Sequence, residues 1–290
     1  MSFKTGEKDQ GVFPTTTVLI PASNEEALIG SCLEALLRSE WDNSYPIEII
    51  VISNGSTDQT ATRALEYSQS FCDRGWAFKV LERAEGGKLG ALNAGDLIAS
   101  GTFRVYLDAD VVVSEKLLIE LVTALDVPDA RYVSGSLTLS AANTWTTRAY
   151  GRIYAQVPFM TSGVPGAGLF AVNAAGRVRW GVFPAIISDD TFVRLSFGPE
   201  ERVGVDASYL WPLVEGWSNL VRVRRRQNAG VDEIRRLYPE LMLNDDKPDF
   251  PLIDKARLAL KDPIGFAVYA GVALAVKFIP AKTSTWSRGR

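Results

Sequence analysis

Apolar and polar positions along the chain fall into two alternating rhythms. Short β-branched runs at Thr17-Val18-Leu19-Ile20-Pro21 and Ile47-Glu48-Ile49-Ile50-Val51-Ile52 each end in a polar, turn-forming segment and predict strands. Ala77–Leu81 predicts a weaker third strand and Thr102–Leu107 a fourth. Between them the spacing becomes helical. Ser23-Asn24-Glu25-Glu26 supply a cap and an acidic first turn, after which Leu28, Ile29, Leu33, Leu36 and Leu37 recur along one face. A second helix is predicted from Asp58, and a third opens at Gly86-Gly87-Lys88 and runs to Ser100. Strands alternating with helices in this way imply βαβ units and a mainly parallel sheet. Ligands of such sheets sit outside the carboxyl ends of the strands. Pro21–Glu25, Ser53–Asp58 and Asp108–Asp110 all fall there, so three polar loops are expected to converge on one crevice.

From Ser114 the order is less regular. Helices are expected near 114–125 and 144–160, with a strand near 131–139 between them. A glycine-rich turn, Gly163–Gly168, leads into Leu169-Phe170-Ala171-Val172. Residues 189–197 predict a short helix opened by Asp189 and Asp190, where the helix dipole favours acids. Residues 217–243 look helical and basic, with Arg222, Arg224, Arg225, Arg226, Arg235 and Arg236. Near the end, Pro263–Val276 is almost wholly apolar and bounded by Lys261-Asp262 and Lys277. It falls short of the ~20 residues a simple membrane span needs. A core or partner-facing helix is one reading. The other is a helix lying in a membrane interface, with Lys277, Lys282, Trp286, Arg288 and Arg290 at its edge. The arginine run adds an electrostatic contact, which favours peripheral membrane association. The expected organisation is a flexible tail at 1–14, a main unit at 15–230 with halves at 15–113 and 114–230, and a helical extension at 231–290 holding the apolar helix 263–279. The polar start, without an apolar signal region, predicts a cytoplasmic location, at the inner face of the cell membrane.

Composition narrows the chemistry. With 290 residues, 47% hydrophobic and 22% charged, the chain has material for a large core. A net charge of −3 gives no reason to expect nucleic acid as a partner. Two cysteines cannot build a zinc cluster. The absence of histidine from the sequence removes every Ser-His or Cys-His nucleophile and all His-ligated metal sites. Acid–base work near neutral pH therefore falls to Asp, Glu, Lys, Tyr or Cys.

Arg104–Val113 reads as a buried strand that ends by projecting carboxylates. In extended backbone, residues two apart face the same side, so Asp108 and Asp110 can address one ligand together. Such a pair suits a hard divalent cation that shares its oxygen ligands with phosphates. A turn Asp followed by a helix cap explains the same two residues, and on this stretch alone the two readings stand level.

Pro21-Ala22-Ser23-Asn24-Glu25, Ser53-Asn54-Gly55-Ser56-Thr57-Asp58, Gly87-Lys88-x-x-Ala91-Leu92-Asn93-x-Gly95 and Asp108-Ala109-Asp110 occur in that order, followed by Gly166-Ala167-Gly168 and Ser188-Asp189-Asp190. The series resembles the inverting glycosyltransferases of family 2, which have the GT-A nucleotide-sugar-binding fold, and covers roughly residues 15–230. Each motif alone is weak, but six in order are specific. The resemblance implies an α/β fold of GT-A type: a mostly parallel twisted sheet, helices on both faces and a helical C-terminal segment. It implies a nucleotide-sugar donor, a carbohydrate or lipid-linked acceptor and a Mg2+ or Mn2+ cofactor held by Asp110. Asp108 is then expected at the ribose, with Ala109 beside it, and Lys88 at the diphosphate. Pro21, Ala22, Asn24 and Glu25 would hold base and ribose, and Asn93 joins the donor set.

Asp58 is either a ribose or base contact or the cap of the next helix, and the cap comes first. Asn54 stands where the family more often has an acid; a uridine diphosphate sugar is still the expected donor. Gly166, Ala167 and Gly168 would let backbone approach the donor sugar. The family's general base corresponds to Asp190, with Asp189 in place of the usual Glu; helix-opening acids are the plainer alternative. Processive members carry Gln-x-x-Arg-Trp on a later helix. The corresponding Val223–Gly230 lacks that Gln and Trp, although Arg226 can still reach the diphosphate. Single addition is therefore expected, in assembly of a polysaccharide or glycolipid. A sugar-nucleotide pyrophosphorylase would want a basic glycine-rich loop after the first strand, where this chain is acidic. A non-catalytic nucleotide-sugar-binding subunit is the remaining alternative.

Overall fold

The computed structural model describes residues 15–42 and 45–278. The predicted tail at 1–14 and the terminal Lys282, Trp286, Arg288 and Arg290 lie outside the described residues. Eight strands form one sheet: β1 (Thr16–Ala22), β2 (Ile47–Asn54), β3 (Ala77–Arg83), β4 (Phe103–Leu107), β5 (Val112–Val113), β6 (Tyr132–Leu139), β7 (Leu169–Val172) and β8 (Arg202–Trp211). Their order is β3-β2-β1-β4-β7-β6-β8-β5. The first four strands are parallel, with Val18 opposite Ile49 on one side and Val105 on the other. Beyond β4 the sheet becomes mixed: β7 runs antiparallel to both β4 and β6, while β6 and β8 are parallel. The result is the GT-A type of α/β architecture.

β2 is buried along its whole length, as a strand covered on both faces must be. One face of the sheet packs Ile20, Ile29, Leu33 and Leu36 with Leu118 and Leu121. The other packs Leu19, Ile50 and Ile52 against Leu92, Phe170 and Phe197. Gly95 is needed in that second layer, since a Cβ there would stand 2.9 Å from Leu19 Cδ2.

Several expected elements change shape. The first helix begins at Ile29, because Asn24 takes a left-handed φ of 54° and Glu25–Leu28 form a turn. The segment after Asp58 is two short helices, Thr60–Leu65 and Ser68–Asp73. The helix expected near 144–160 stops at Tyr154, with a separate turn at Pro158–Thr161, since Pro158 has no N–H to continue it. The basic helix is Trp217–Leu237, and Pro239 ends it in a 3-10 segment, Pro239–Asn244. β8 has no counterpart among the predicted strands. Gly204, Asp206 and Ser208 alternate with Val203, Val205, Ala207 and Tyr209, as in a strand with one covered face, and its pairing with β6 shifts register between Ser134 and Ser136.

The apolar tail segment forms the helix Pro263–Phe278. Its inner stripe of Gly265, Val268, Val272 and Ala275 is buried, with Val268, Val272 and Ala275 packing on Ala149, Tyr150, Leu220 and Val221. Gly265 and Gly271 permit the close approach: a Cβ would meet Ala149 O at 3.0 Å and the Trp217 ring at 2.8 Å. Arg152 Nε donates to Asp262 Oδ2 at 2.7 Å at the helix start. The outward face is apolar as well, with Ile264, Leu274 and Phe278 exposed, and the preceding helix, Leu252–Lys261, exposes Leu252, Ile253 and Leu260. Among the described residues, no helix is long and apolar enough to cross a membrane.

Candidate active site

The three loops at the carboxyl ends of β1, β2 and β4 meet in a cleft of about 510 Å3. Two of them are laced together. Ser23 Oγ donates to the Asn54 carbonyl at 2.7 Å, Thr57 N donates to Asn24 Oδ1 at 2.7 Å, and Glu25 N donates to Thr60 Oγ1 at 2.8 Å. The left-handed Asn24 makes this possible, because Asn tolerates that conformation better than most residues. Pro21, Ala22, Asn24, Glu25 and Asn54 all line the cleft. Asn54 is buried, and its side-chain Oδ1 has no hydrogen-bond partner among the described residues. A buried amide oxygen without a partner is an acceptor that a donor able to reach it would satisfy.

Asp108, Ala109 and Asp110 form the floor where β4 ends. Asp108 N donates to the Gly168 carbonyl at 2.8 Å, and Val111 N donates to the Asp108 carbonyl at 3.1 Å, which turns the chain. Lys88 opens the helix Lys88–Ile98, behind Gly87 at φ 119°. Its Nζ lies 2.7 Å from Asp108 Oδ1 and 2.9 Å from Asp189 Oδ2, bridging two carboxylates 81 residues apart in sequence. Burial works against the ammonium, but the charges of Asp108, Asp189 and Asp190 outweigh it and hold the group protonated. A small recess beside the cleft shares Pro21, Lys88 and Asp108 with it and adds Gly168, Asp189 and Asp190.

Asp189 and Asp190 open the helix Asp189–Leu195. Their environments differ. Asp189 is buried and held by Lys88. Asp190 accepts from Thr191 N at 2.7 Å, and its pKa is pushed up to about 6, by burial first and then by the Asp189 charge, with Lys88 opposing. A neighbouring pair of carboxylates with divided tasks is a recurring acid–base arrangement.

Four candidates stand away from the cleft lining. Asp58 accepts from Thr60 N at 3.0 Å and from Glu26 N at 3.2 Å, so it caps a helix and clamps the neighbouring loop. Asn93 is occupied with the Phe183 backbone, donating to its carbonyl at 3.1 Å and accepting from its N–H at 2.7 Å. Gly166 and Ala167 shape the turn before β7: a Cβ on Gly166 would collide with Tyr132 Oη, and Tyr209 Oη donates to the Ala167 carbonyl at 2.8 Å. Gly168 alone of the three reaches the recess.

The opposite wall was not read from the sequence. Tyr150 and Tyr154 from the helix Trp145–Tyr154, Trp211 at the end of β8 with the following Pro212–Val214, and Leu220 on the basic helix form a mostly apolar face. Tyr150 and Tyr154 stack at 5.4 Å. Arg226 lines the cleft as expected, and Arg224 and Gln227 join it. Asp110 contributes the hard oxygen chemistry that a divalent cation needs. Among the described residues, no group of three or more acidic or cysteine side chains could hold a metal ion, so such an ion would take part of its shell from a ligand.

The glycosyl transferase family 2 sequence profile matches residues 17–175. A beta-monoglucosyldiacylglycerol synthase of Nostoc sp. (strain PCC 7120) is 32% identical over 142 residues, 47% of this chain and 29% of that protein. A 4,4'-diaponeurosporenoate glycosyltransferase of Staphylococcus aureus (strain bovine RF122) is 30% identical over 170 residues, 58% of this chain and 41% of that protein. The chain thus spans less than half the length of these curated relatives. Among solved structures, the mannosyltransferase PcManGT of Pyrobaculum calidifontis, in complex with GDP-Man and Mn2+, superposes with a TM-score of 0.59 at 20% identity, covering 93% of this chain and 76% of that one. At that identity the likeness is one of fold.

Proposed function

The chain belongs to glycosyl transferase family 2, and from that premise we propose that it moves a sugar from a nucleoside-diphosphate donor to an acceptor hydroxyl with inversion. The observation that supports this most is the Lys88 bridge, which draws the Asp108 carboxylate and the Asp189-Asp190 pair to one recess of the cleft. Asp190 is the general base. With a pKa of about 6 it is ionised at neutral pH yet basic enough to take a proton from the attacking hydroxyl. The acceptor oxygen bonds to the anomeric carbon from the face opposite the diphosphate, and the nucleoside diphosphate leaves with the bonding electrons. Asp189, neutralised by Lys88, keeps that recess formed.

The donor reading follows the loops. Pro21, Ala22, Asn24, Glu25 and Asn54 surround the base and ribose, and a uridine diphosphate sugar is favoured because Asn54 Oδ1 can accept the uracil N3–H. Asp108 takes the ribose once Lys88 releases it toward the diphosphate, with Arg226 at the rim. Asp110 suits Mg2+ or Mn2+, and either ion would neutralise diphosphate charge. The archaeal structure with GDP-Man and Mn2+ is in keeping with that pairing.

The apolar wall of Tyr150, Tyr154, Trp211 and Leu213 suits an acceptor with an apolar part. A lipid-linked acceptor agrees with the outward apolar stripe of the last two helices, which supports a peripheral membrane contact at the inner face of the cell membrane. One relative is named for a glucosyldiacylglycerol and another for a diaponeurosporenoate. The lack of an aromatic residue in Arg224-Arg225-Arg226-Gln227-Asn228 supports single addition, as in glycolipid or polysaccharide assembly. Incubation with Mn2+ and a panel of nucleotide sugars, with and without membrane lipids, tests the proposal through release of nucleoside diphosphate. Release that needs Asp190 and a lipid fraction supports it; equal release by Asp190→Asn refutes the base assignment.

A further inference from the structure

Arg224 faces two spaces. On one side it lines the cleft; on the other it lines a separate cavity of about 300 Å3, between the Pro158–Thr161 turn, residues 245–250 and Tyr269 of the last helix. Phe159, Phe250 and Tyr269 supply aromatic walls. The charged groups in the lining are Arg224, Lys247, Asp245 and Asp249. Asp245 is engaged by Arg194 at 2.7 Å. Neither Arg224 nor Lys247 forms a salt bridge among the described residues.

Both cations instead lie over aromatic faces, Arg224 at 5.9 Å from the Tyr154 centroid and Lys247 Nζ at 5.8 Å from that of Phe159. Burial and then the Arg224 charge lower the Lys247 pKa, with Arg194 adding and Asp245 opposing. The Arg224 and Lys247 charges oppose each other, Asp245 answers them only in part because Arg194 engages it, and a bound anion would relieve the repulsion. A guanidinium fork beside an ammonium matches the oxygens of a phosphate, and two cations suit its charge better than that of a single carboxylate.

We propose that this cavity is a subsite for a phosphate group carried by the acceptor. The inference rests on the reading of the cleft as the transfer site, because Arg224, which lies over the Tyr154 ring, lines both spaces. Arg224, Tyr154 and Lys88 line the same cleft, and Lys88 also lines the recess that holds Asp190, so the arginine and the base flank adjoining spaces. An extended acceptor can therefore offer its hydroxyl to Asp190 while its phosphate rests between Arg224 and Lys247.

The test uses the full chain with inorganic phosphate, glycerol 3-phosphate and vesicles containing phosphatidylglycerol or only phosphatidylcholine. Calorimetric titration should give a phosphate affinity that falls on the order of tenfold in Lys247→Gln, the loss of one charge-assisted contact. UDP should still bind in the presence of saturating phosphate, with its own affinity unchanged by the substitution. Phosphate binding that survives in Lys247→Gln, or that UDP displaces competitively, overturns the subsite. Glycerol 3-phosphate binding without vesicle retention supports a soluble phosphorylated acceptor; Lys247-dependent retention on phosphatidylglycerol vesicles supports a lipid-borne one. In transfer assays the KM of a phosphorylated acceptor should rise in Lys247→Gln with kcat unchanged. Phosphate binding lost with KM unmoved overturns the link to the acceptor while leaving the transferase reading intact.

Discussion

Replacing Lys88 with Gln removes the cation that stands 2.7 Å from Asp108 and 2.9 Å from Asp189. At an effective dielectric constant of about 20, each contact represents roughly 6 kcal/mol of Coulomb attraction, most of it cancelled by desolvation. Stripping one partner from a buried pair typically costs about 3–5 kcal/mol. About a third of the Lys88 side chain is exposed, and solvent screening lowers the expectation to about 2 kcal/mol. The variant has a second way to relax, by binding a proton on the Asp189–Asp190 pair. Asp190 already titrates near 6, and loss of the opposing Lys88 charge should raise it further. A carboxylate whose folded pKa lies above its unfolded value stabilises the fold at low pH and loses that contribution as pH rises. The stability gap between Lys88→Gln and the parent should therefore be small at pH 5 and widen toward pH 8. Urea denaturation followed by tryptophan fluorescence at pH 5, 6.5 and 8 measures this gap. A gap that stays constant, or narrows with rising pH, refutes the bridge as the element that holds these carboxylates together.

Asp190→Asn should retain UDP binding and lose transfer by at least ~100-fold, the scale of a general base. In the parent, kcat/KM should rise about tenfold per pH unit below 6 and level off above it, since the base works only when deprotonated; a flat profile from pH 5 to 7 contradicts the assignment. Asp110→Ala should abolish the Mn2+ dependence of donor binding, measured by calorimetry with and without chelator. Gly166→Ala should destabilise by about 3 kcal/mol, from a left-handed backbone and a Cβ that collides with Tyr132 Oη. Adding Tyr132→Phe should recover part of that loss in thermal melts, because the buried Oη has no hydrogen-bond partner among the described residues.

The half proposed to bind the donor was legible because its elements are local. β1, β2 and β4 are each a short, mostly apolar strand followed at once by the loop that bears the polar side chains, so Asn24, Asn54 and Asp108 could be assigned to one crevice from strand ends alone. The limits are equally physical. Asn93 and Asp58 sit inside a recognisable pattern, but the backbone of Phe183 and the N–H groups of Glu26 and Thr60 occupy their side chains. No periodicity reports which partner a polar group finds. Lys88 could be read as a phosphate ligand, yet nothing near it in the chain announces Asp189 as its counter-charge.

The second half of the site is assembled from residues 150–154, 211–214 and 220–227, brought together by β8, whose alternating positions carry no polar motif to mark them as part of a site. Its side chains are aromatic and apolar, and in a sequence such residues are indistinguishable from core. What separates them is that Tyr150 and Tyr154 back onto the last helix while Trp211 and Leu213 leave a face toward the cleft. The proposed donor side is therefore built from polar loops held by hydrogen bonds, and the proposed acceptor side from a hydrophobic wall that the C-terminal helices buttress. Loosening those helices should then weaken acceptor use before donor binding. Val272→Ala, which opens a cavity under that wall at a cost of about 2 kcal/mol, should raise the acceptor KM while leaving UDP affinity unchanged; an equal effect on both would mean that the two sides are not built independently.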